Sequence, residues 1–180
     1  KPRIDMDLLA QYHKGLIIAS ACLKGTVAEA VVQDDTPRAD RFIDAMKQLL
    51  GPERFYLEVM DHGLEDQKKA NPGVISLAQR HGLGLIATND THYLTREDHG
   101  MHGILLCIGT GRKRSDEKRM RYSANEFYLK SPEQMHALFG DVPGALSNTA
   151  RIAEMCNVTP PMTSSSELYP SFHPPEGHTA

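Results

Sequence analysis

Short apolar runs alternate along the chain with longer stretches in which apolar positions recur every three or four residues. Leu16-Ile-Ile-Ala-Ser20, entered through Gly15, predicts a buried strand. Val27, Ala28, Ala30, Val31 and Val32 form a helix-like cluster with Thr26 as its cap. Thr36-Pro37 predicts a second helix, with Thr at the cap and Pro at the first helical position. Phe42, Ala45, Met46 and Leu49 carry its apolar face to Gly51-Pro52. Phe55-Tyr-Leu-Glu-Val-Met60 is aromatic and β-branched enough for a second strand.

The polar segment that follows predicts no continuous helix, because Pro72 lacks a donor and crowds the preceding turn. Asn71-Pro72 instead predicts a fresh start for a helix through Val74, Leu77 and Ala78 to Gly82. Leu83-Gly-Leu-Ile-Ala-Thr88 predicts a third strand. Thr95 and Asp98 suit a capping box for a helix through Ile104, Leu105 and Ile108, closed by Gly109 and Gly111. Phe127-Tyr-Leu129 predicts another short strand, Ser131-Pro132-Glu133-Gln134 opens a helix, and 145–156 supplies a last one. Strand and helix alternate at about 25–35 residues per unit, which predicts parallel βα repeats in an α/β fold.

Composition narrows the function classes only a little. The chain has 180 residues, 40% of them apolar and 24% charged, which fits a folded domain with its own core. A net charge of −3 leaves any nucleic-acid footprint to local patches. No apolar run approaches the roughly 20 residues of a membrane span, so no membrane partner is expected. Cys22, Cys107 and Cys156 are odd in number and widely spaced, which argues against a disulfide framework and for a reducing, cytoplasmic setting. No GxGxxG, Walker-type GK[ST], GxSxG or HExxH occurs.

The candidate chemistry gathers behind the strands. Ala87-Thr-Asn-Asp-Thr-His-Tyr93 places Asp90 and His92 two apart. In extended backbone they would share a face at the carboxyl end of a strand, where α/β folds place their sites. Carboxylate plus imidazole suits zinc, manganese or iron. The alternative is a turn at Asn89-Asp90 with His92 in a loop. Cys22 holds the matching position after the first strand, as a third ligand or as a small buried hydrophobe. Glu58, Asp61 and His62 follow the second strand, as further ligands, as partners that orient an imidazole, or as a polar loop closed by Gly63. His99 and His102 share a helix face and read as solvated or capping residues. The run 112–121 sets six Arg and Lys against Asp116 and Glu117, suiting either phosphate contact or a solvated loop with internal ion pairs.

Taken in order, Gly15-Leu-Ile-Ile-Ala-Ser-Ala-Cys22, Tyr56-Leu-Glu-Val-Met-Asp-His-Gly-Leu64, Ala87-Thr-Asn-Asp-Thr-His-Tyr93, Leu105-Leu-Cys-Ile-Gly109 and Glu126-Phe-Tyr-Leu-Lys130 closely resemble one family. It is the PHP (polymerase and histidinol phosphatase) domain of bacterial DNA polymerase III alpha subunits. The resemblance implies a distorted (βα)7 barrel, truncated here at its N-terminal side. It implies a partial PHP domain over 1–158 and a proline-rich extended segment, 159–180, leading toward the polymerase domains. It implies divalent metal, zinc or manganese, at the strand ends, with Cys22, Asp90 and His92 as ligands and the remaining ligands upstream of Lys1. Magnesium would serve a polymerase site outside the chain. The implied function is a part of a DNA-directed DNA polymerase with a 3′-5′ exonuclease role in the intact parent. Its implied partners are DNA, the sliding clamp and the proofreading subunit. A stand-alone phosphoesterase of the histidinol-phosphatase type and a non-catalytic structural PHP domain are the alternatives.

Overall fold

A computed structural model describes residues 3–159. Helix α1 (Met6–Tyr12) is followed by β1 (Ile18–Ala19), α2 (Thr26–Val32), α3 (Thr36–Leu50), β2 (Phe55–Val59), α4 (Glu65–His81) and β3 (Gly84–Ala87). A short 3-10 turn, Arg96–Asp98, leads into α5 (His99–Thr110), then α6 (Pro132–Phe139) and α7 (Ser147–Met155). The strands form a parallel sheet in the order β1-β2-β3, with Ile18 opposite Phe55 and Val59 opposite Ala87. Parallel neighbours need crossover connections, and α2 with α3, then α4, supply them.

The core follows the strand alternation. Phe55, Leu57 and Val59 of β2 and Leu85 and Ala87 of β3 face one side, and join Ile43, Met46, Val74 and Leu77 from the helices. Tyr56 and Ile86 line a cavity on the other side with Ile152 and Met155 of α7. Asn148 of α7 donates to the Leu85 carbonyl at 2.8 Å, fastening that helix to the sheet.

Several expected elements take a different form. The strand expected over Leu16–Ser20 shrinks to Ile18–Ala19, and Leu16 is 42% exposed. Among the described residues β1 pairs on one side only, with β2, so half of its backbone groups have no strand partner. Asp35, rather than Thr36, caps α3 by accepting from the Arg38 amide at 3.1 Å, and Gly25, rather than Thr26, stands at the cap of α2. Phe127–Leu129 makes a single parallel bridge, Tyr93 to Tyr128, instead of a strand. Helix α1 was not foreseen: it buries no residue, so it carries little apolar period.

The largest correction concerns Pro72. Helix α4 runs unbroken from Glu65 to His81 with Pro72 inside it. The ring removes one intrahelical bond, but Gln67, Ala70, Val74, Leu77 and Ala78 all lie on one buried face against α2 and the sheet. That packing outweighs about 3 kcal/mol of local penalty. Asn71, read as a cap, instead donates from its side-chain amide to the Met60 carbonyl at 3.0 Å. The proline-rich segment expected over 159–180 lies, beyond Thr159, outside the described residues.

Candidate functional site

The three parallel strands present their carboxyl ends on one side of the molecule, and the chemistry-bearing loops follow them. After β1, Ala21 takes φ 64° and the Gly25 amide closes a tight turn on the Cys22 carbonyl at 2.7 Å. A Cβ at Gly25 would strike the carbonyl oxygens of Ser20 and Cys22, so only glycine permits the turn that sets the thiol in place. Cys22 is partly buried.

After β3, the Ala87 and Thr88 amides donate to Ala145 and Val59 at 2.9 and 3.1 Å, and the chain then turns. Asp90 sits at φ 44°, in the left-handed region that Asp tolerates better than most residues. The backbone between Asp90 and His92 is therefore not extended, as the alternation argument assumed. The two side chains meet nonetheless, with His92 Nε2 3.3 Å from Asp90 Oδ1. A left-handed residue reverses the chain locally and does what strand alternation was expected to do. The His92 amide donates to the Phe127 carbonyl at 2.8 Å, which anchors the turn.

Around His92 lies an aromatic wall. Tyr122 Oη is 3.1 Å from His92 Nε2, and the rings of Tyr122, His102 and Phe127 lie 4.8, 5.4 and 5.8 Å away between centroids. Burial, with the nearby Asp90 charge and the Cys22 thiol, pushes the Tyr122 hydroxyl up from its ordinary range and keeps it protonated. Cys22, Asp90, Tyr122 and Phe127 line one cavity of about 270 Å³. The sulfur and the carboxylate thus share a chamber, and His92 joins them through its contacts to Asp90 and Tyr122. Among the described residues, no three His, Cys, Asp or Glu side chains are close enough to form a ready metal cluster.

The other histidines depart from expectation. His62 is 1% exposed and belongs to a closed network. Its own amide donates to Gln67 Oε1 at 2.7 Å, which turns the Gln67 Nε2 toward His62 Nδ1, also at 2.7 Å. Nδ1 therefore accepts, and Nε2 carries the proton it donates to the Asn89 carbonyl at 2.7 Å. Burial holds its pKa below the ordinary value and keeps it neutral, and nearby Lys130 adds to that effect. His62 ties the end of β2 to the loop bearing Asp90, a positioning role and not a free ligand. His102, read as solvated or capping, is buried with its pKa lowered first by burial and then by His92 and His99. Asp61 closes its own turn on the Gly63 amide at 2.8 Å. Glu58 accepts from Thr88 Oγ1 and, with Cys22, lines a small second recess. Tyr122 and Phe127 were not foreseen, because each meets His92 across some thirty residues. Gln67 lies only five residues from His62, but no periodicity marks a helical residue that turns back onto the preceding loop.

Comparison with known proteins shows what the chain is similar to. Residues 1–62 match the family described as the PHP domain. DNA polymerase III subunit alpha of Treponema pallidum (strain Nichols) is 45% identical over 161 residues, covering 89% of this chain and 14% of that protein. This chain is a homologue of DNA polymerase III subunit alpha. The Borreliella burgdorferi and Thermus aquaticus subunits are 44% and 38% identical, over 87% and 99% of this chain. The chain spans only 14–15% of the length of these alpha subunits, and the matched region includes the Cys22, Asp90 and His92 loops in the Thermus case, where nearly the whole chain aligns. Among the described residues no helix is long and apolar enough to cross a membrane.

Proposed function

We propose that the chain is part of a DNA-directed DNA polymerase, a replicase alpha subunit, and that 1–158 forms the later portion of a metal-binding PHP barrel. Segment 159–180 then leads toward the polymerase domains, and further strands would complete a distorted (βα)7 barrel. The three parallel strands are compatible with that barrel, and among the described residues β1 pairs with β2 on one side only, which leaves an edge for a further strand. The observation that carries the reading is the 3.3 Å approach of His92 to Asp90 beside the Cys22 chamber, at the carboxyl ends of the strands.

A hard carboxylate, an imidazole and a thiol form a donor set suited to zinc or manganese. Cys22, Asp90 and His92 would hold the ion together with ligands contributed from outside this chain. When bound, such an ion lowers the pKa of water and neutralises phosphodiester charge, the requirement of 3′-5′ exonuclease chemistry. The chain's own residues prepare that site. His62 fixes the loop bearing Asp90, and Phe127 anchors the His92 backbone and lines the chamber. Nucleotidyl transfer itself, with its magnesium, belongs to carboxylates outside this chain. Partners in this reading are DNA, the sliding clamp and the proofreading subunit, in the cytoplasm.

The test is the metal content and 3′ exonuclease rate of the full-length parent carrying His92→Ala. Loss of bound metal with loss of exonuclease activity is expected, and unchanged occupancy removes His92 from the ligand set. A structural role within the same parent is the second reading, favoured by the lack of any three-donor cluster among the described residues. It predicts no bound metal in the unsubstituted protein, which the same elemental measurement reads directly.

A further inference from the structure

The basic run folds back over α5 and encloses a second cavity, of about 240 Å³, lined by Arg114, Arg119, Arg121, His99, His102 and Tyr122 among others. Among the described residues no carboxylate lines it. The internal ion pairs that a solvated loop would make are missing: among the described residues none of these arginines pairs with Asp116 or Glu117. Backbone carbonyls hold two of them instead. Arg119 Nε donates to the Arg114 carbonyl at 3.2 Å, and Arg121 Nη2 to the Asp116 and Glu117 carbonyls at 3.3 and 3.4 Å. Such contacts orient a guanidinium without neutralising it, and leave further N–H donors for an anion. Arg121 and Tyr122 also line the chamber of Cys22 and Asp90, so the two cavities share a wall.

We propose that the arginine cavity binds a phosphodiester of a single-stranded nucleic acid and directs the strand toward the adjoining chamber. Three cations without a carboxylate suit the bidentate recognition of phosphate. The shared wall supplies what a lone phosphate would not need: Tyr122, a partly exposed ring on which a base beyond the phosphate can stack. Only the strand's destination rests on the metal-site reading; the anion site stands on its own residues.

The experiment is fluorescence anisotropy of a labelled oligothymidylate with the full chain over a series of salt concentrations. Inorganic phosphate serves as competitor, and a melting curve accompanies every variant. Arg119→Gln with Arg121→Gln is expected to weaken binding at least tenfold and to lower the slope of log affinity against log salt by about 0.7 per contact removed. Arg114 makes no side-chain hydrogen bond among the described residues, so Arg114→Gln tests the cavity without disturbing the loop, with about a threefold loss expected. Lys14→Gln, the same charge change at a remote exposed site, should leave both quantities unchanged. Chelation of divalent metal with EDTA should leave oligonucleotide binding within about twofold of the untreated protein, which separates failure of the metal reading from failure of this one. Equal binding by Arg114→Gln, Lys14→Gln and wild type overturns the proposal. So does phosphate binding without oligonucleotide binding, or no binding of either.

Discussion

The rings of His62 and Phe127 stack with centroids 4.0 Å apart and planes 10° from parallel. Phe127 also accepts from the His92 amide, and His62 donates to the Asn89 carbonyl, so this stacked pair brackets the Asp90–His92 turn from both sides. This pair acts together with the single Tyr93–Tyr128 bridge and the hydrogen bonds of Asn89 to Tyr128 and Lys130, so the loop is held by side-chain contacts and one bridge rather than by a continuous strand pairing.

His62→Ala should therefore cost about 2–4 kcal/mol, from the lost ring contacts and the buried Gln67 amide left without its partner. Urea denaturation measures it, and a loss under about 0.5 kcal/mol would contradict the positioning role.

The same histidine makes stability depend on pH. Its folded pKa is lowered, chiefly by burial, so the unfolded chain takes the proton more readily. Stability should be complete above the unfolded value of 6.5 and should fall as the pH drops from there toward the lowered folded value. His62→Gln should flatten that limb of the profile. Asp40 acts lower on the scale: hydrogen bonding from His81 and then Arg80 lowers its pKa below 3.8. Its contribution is present above 3.8 and disappears as the pH falls through the lowered value, so Asp40→Asn should flatten only the acid end.

Pro72→Ala should stabilise the protein. The residue is exposed, the helix is continuous around it, and alanine restores an amide able to reach the Lys68 carbonyl. A gain of about 1–3 kcal/mol in chemical denaturation is expected. Its absence would mean that the loss of an unfolded-state constraint cancels the helical gain.

Gly73→Ala, one residue on, should do the opposite. Its new Cβ would overlap Val31 Cγ1, where α4 crosses α2. A loss of about 1–3 kcal/mol is expected, largely recovered when Val31→Ala is added, as a double-mutant cycle would show.

Asp90→Asn separates chemistry from backbone. Asparagine accepts the left-handed φ of 44° at this position but cannot carry the ligand charge. Bound metal in the full-length parent should drop at least tenfold, while the midpoint of thermal unfolding stays within about 2 °C. A large fall in stability with metal retained would make Asp90 a backbone residue only.

The existence of the helices and the strand alternation were legible because they are local, Leu85 and Ala87 repeating with the strand period. The buried face of α3 was not: Phe42, Ala45, Met46 and Leu49 were expected inward, whereas Ala39, Ile43, Met46 and Leu50 are buried and Ala45 is exposed, because the packing against α2 and β2 sets the rotation of the helix. Caps such as Ser131 with Gln134, and Thr95 with Asp98, were legible for the same reason, since each closes within three residues. Cys22, Asp90 and His92 were legible as candidates from order and residue type, and the family resemblance came from the same short segments.

What the sequence left undecided depends on distant partners. The proline in α4 reads as a break until the buried face on either side of it is seen packed against α2 and the sheet. The convergence of Asp90 and His92 comes from a left-handed residue, and the aromatic wall around them comes from Tyr122 and Phe127, some thirty residues downstream. Local chemistry sets periods, caps and candidates. Only tertiary packing decides which penalties are overridden and which side chains share a chamber, because those free energies arise between residues far apart in the chain.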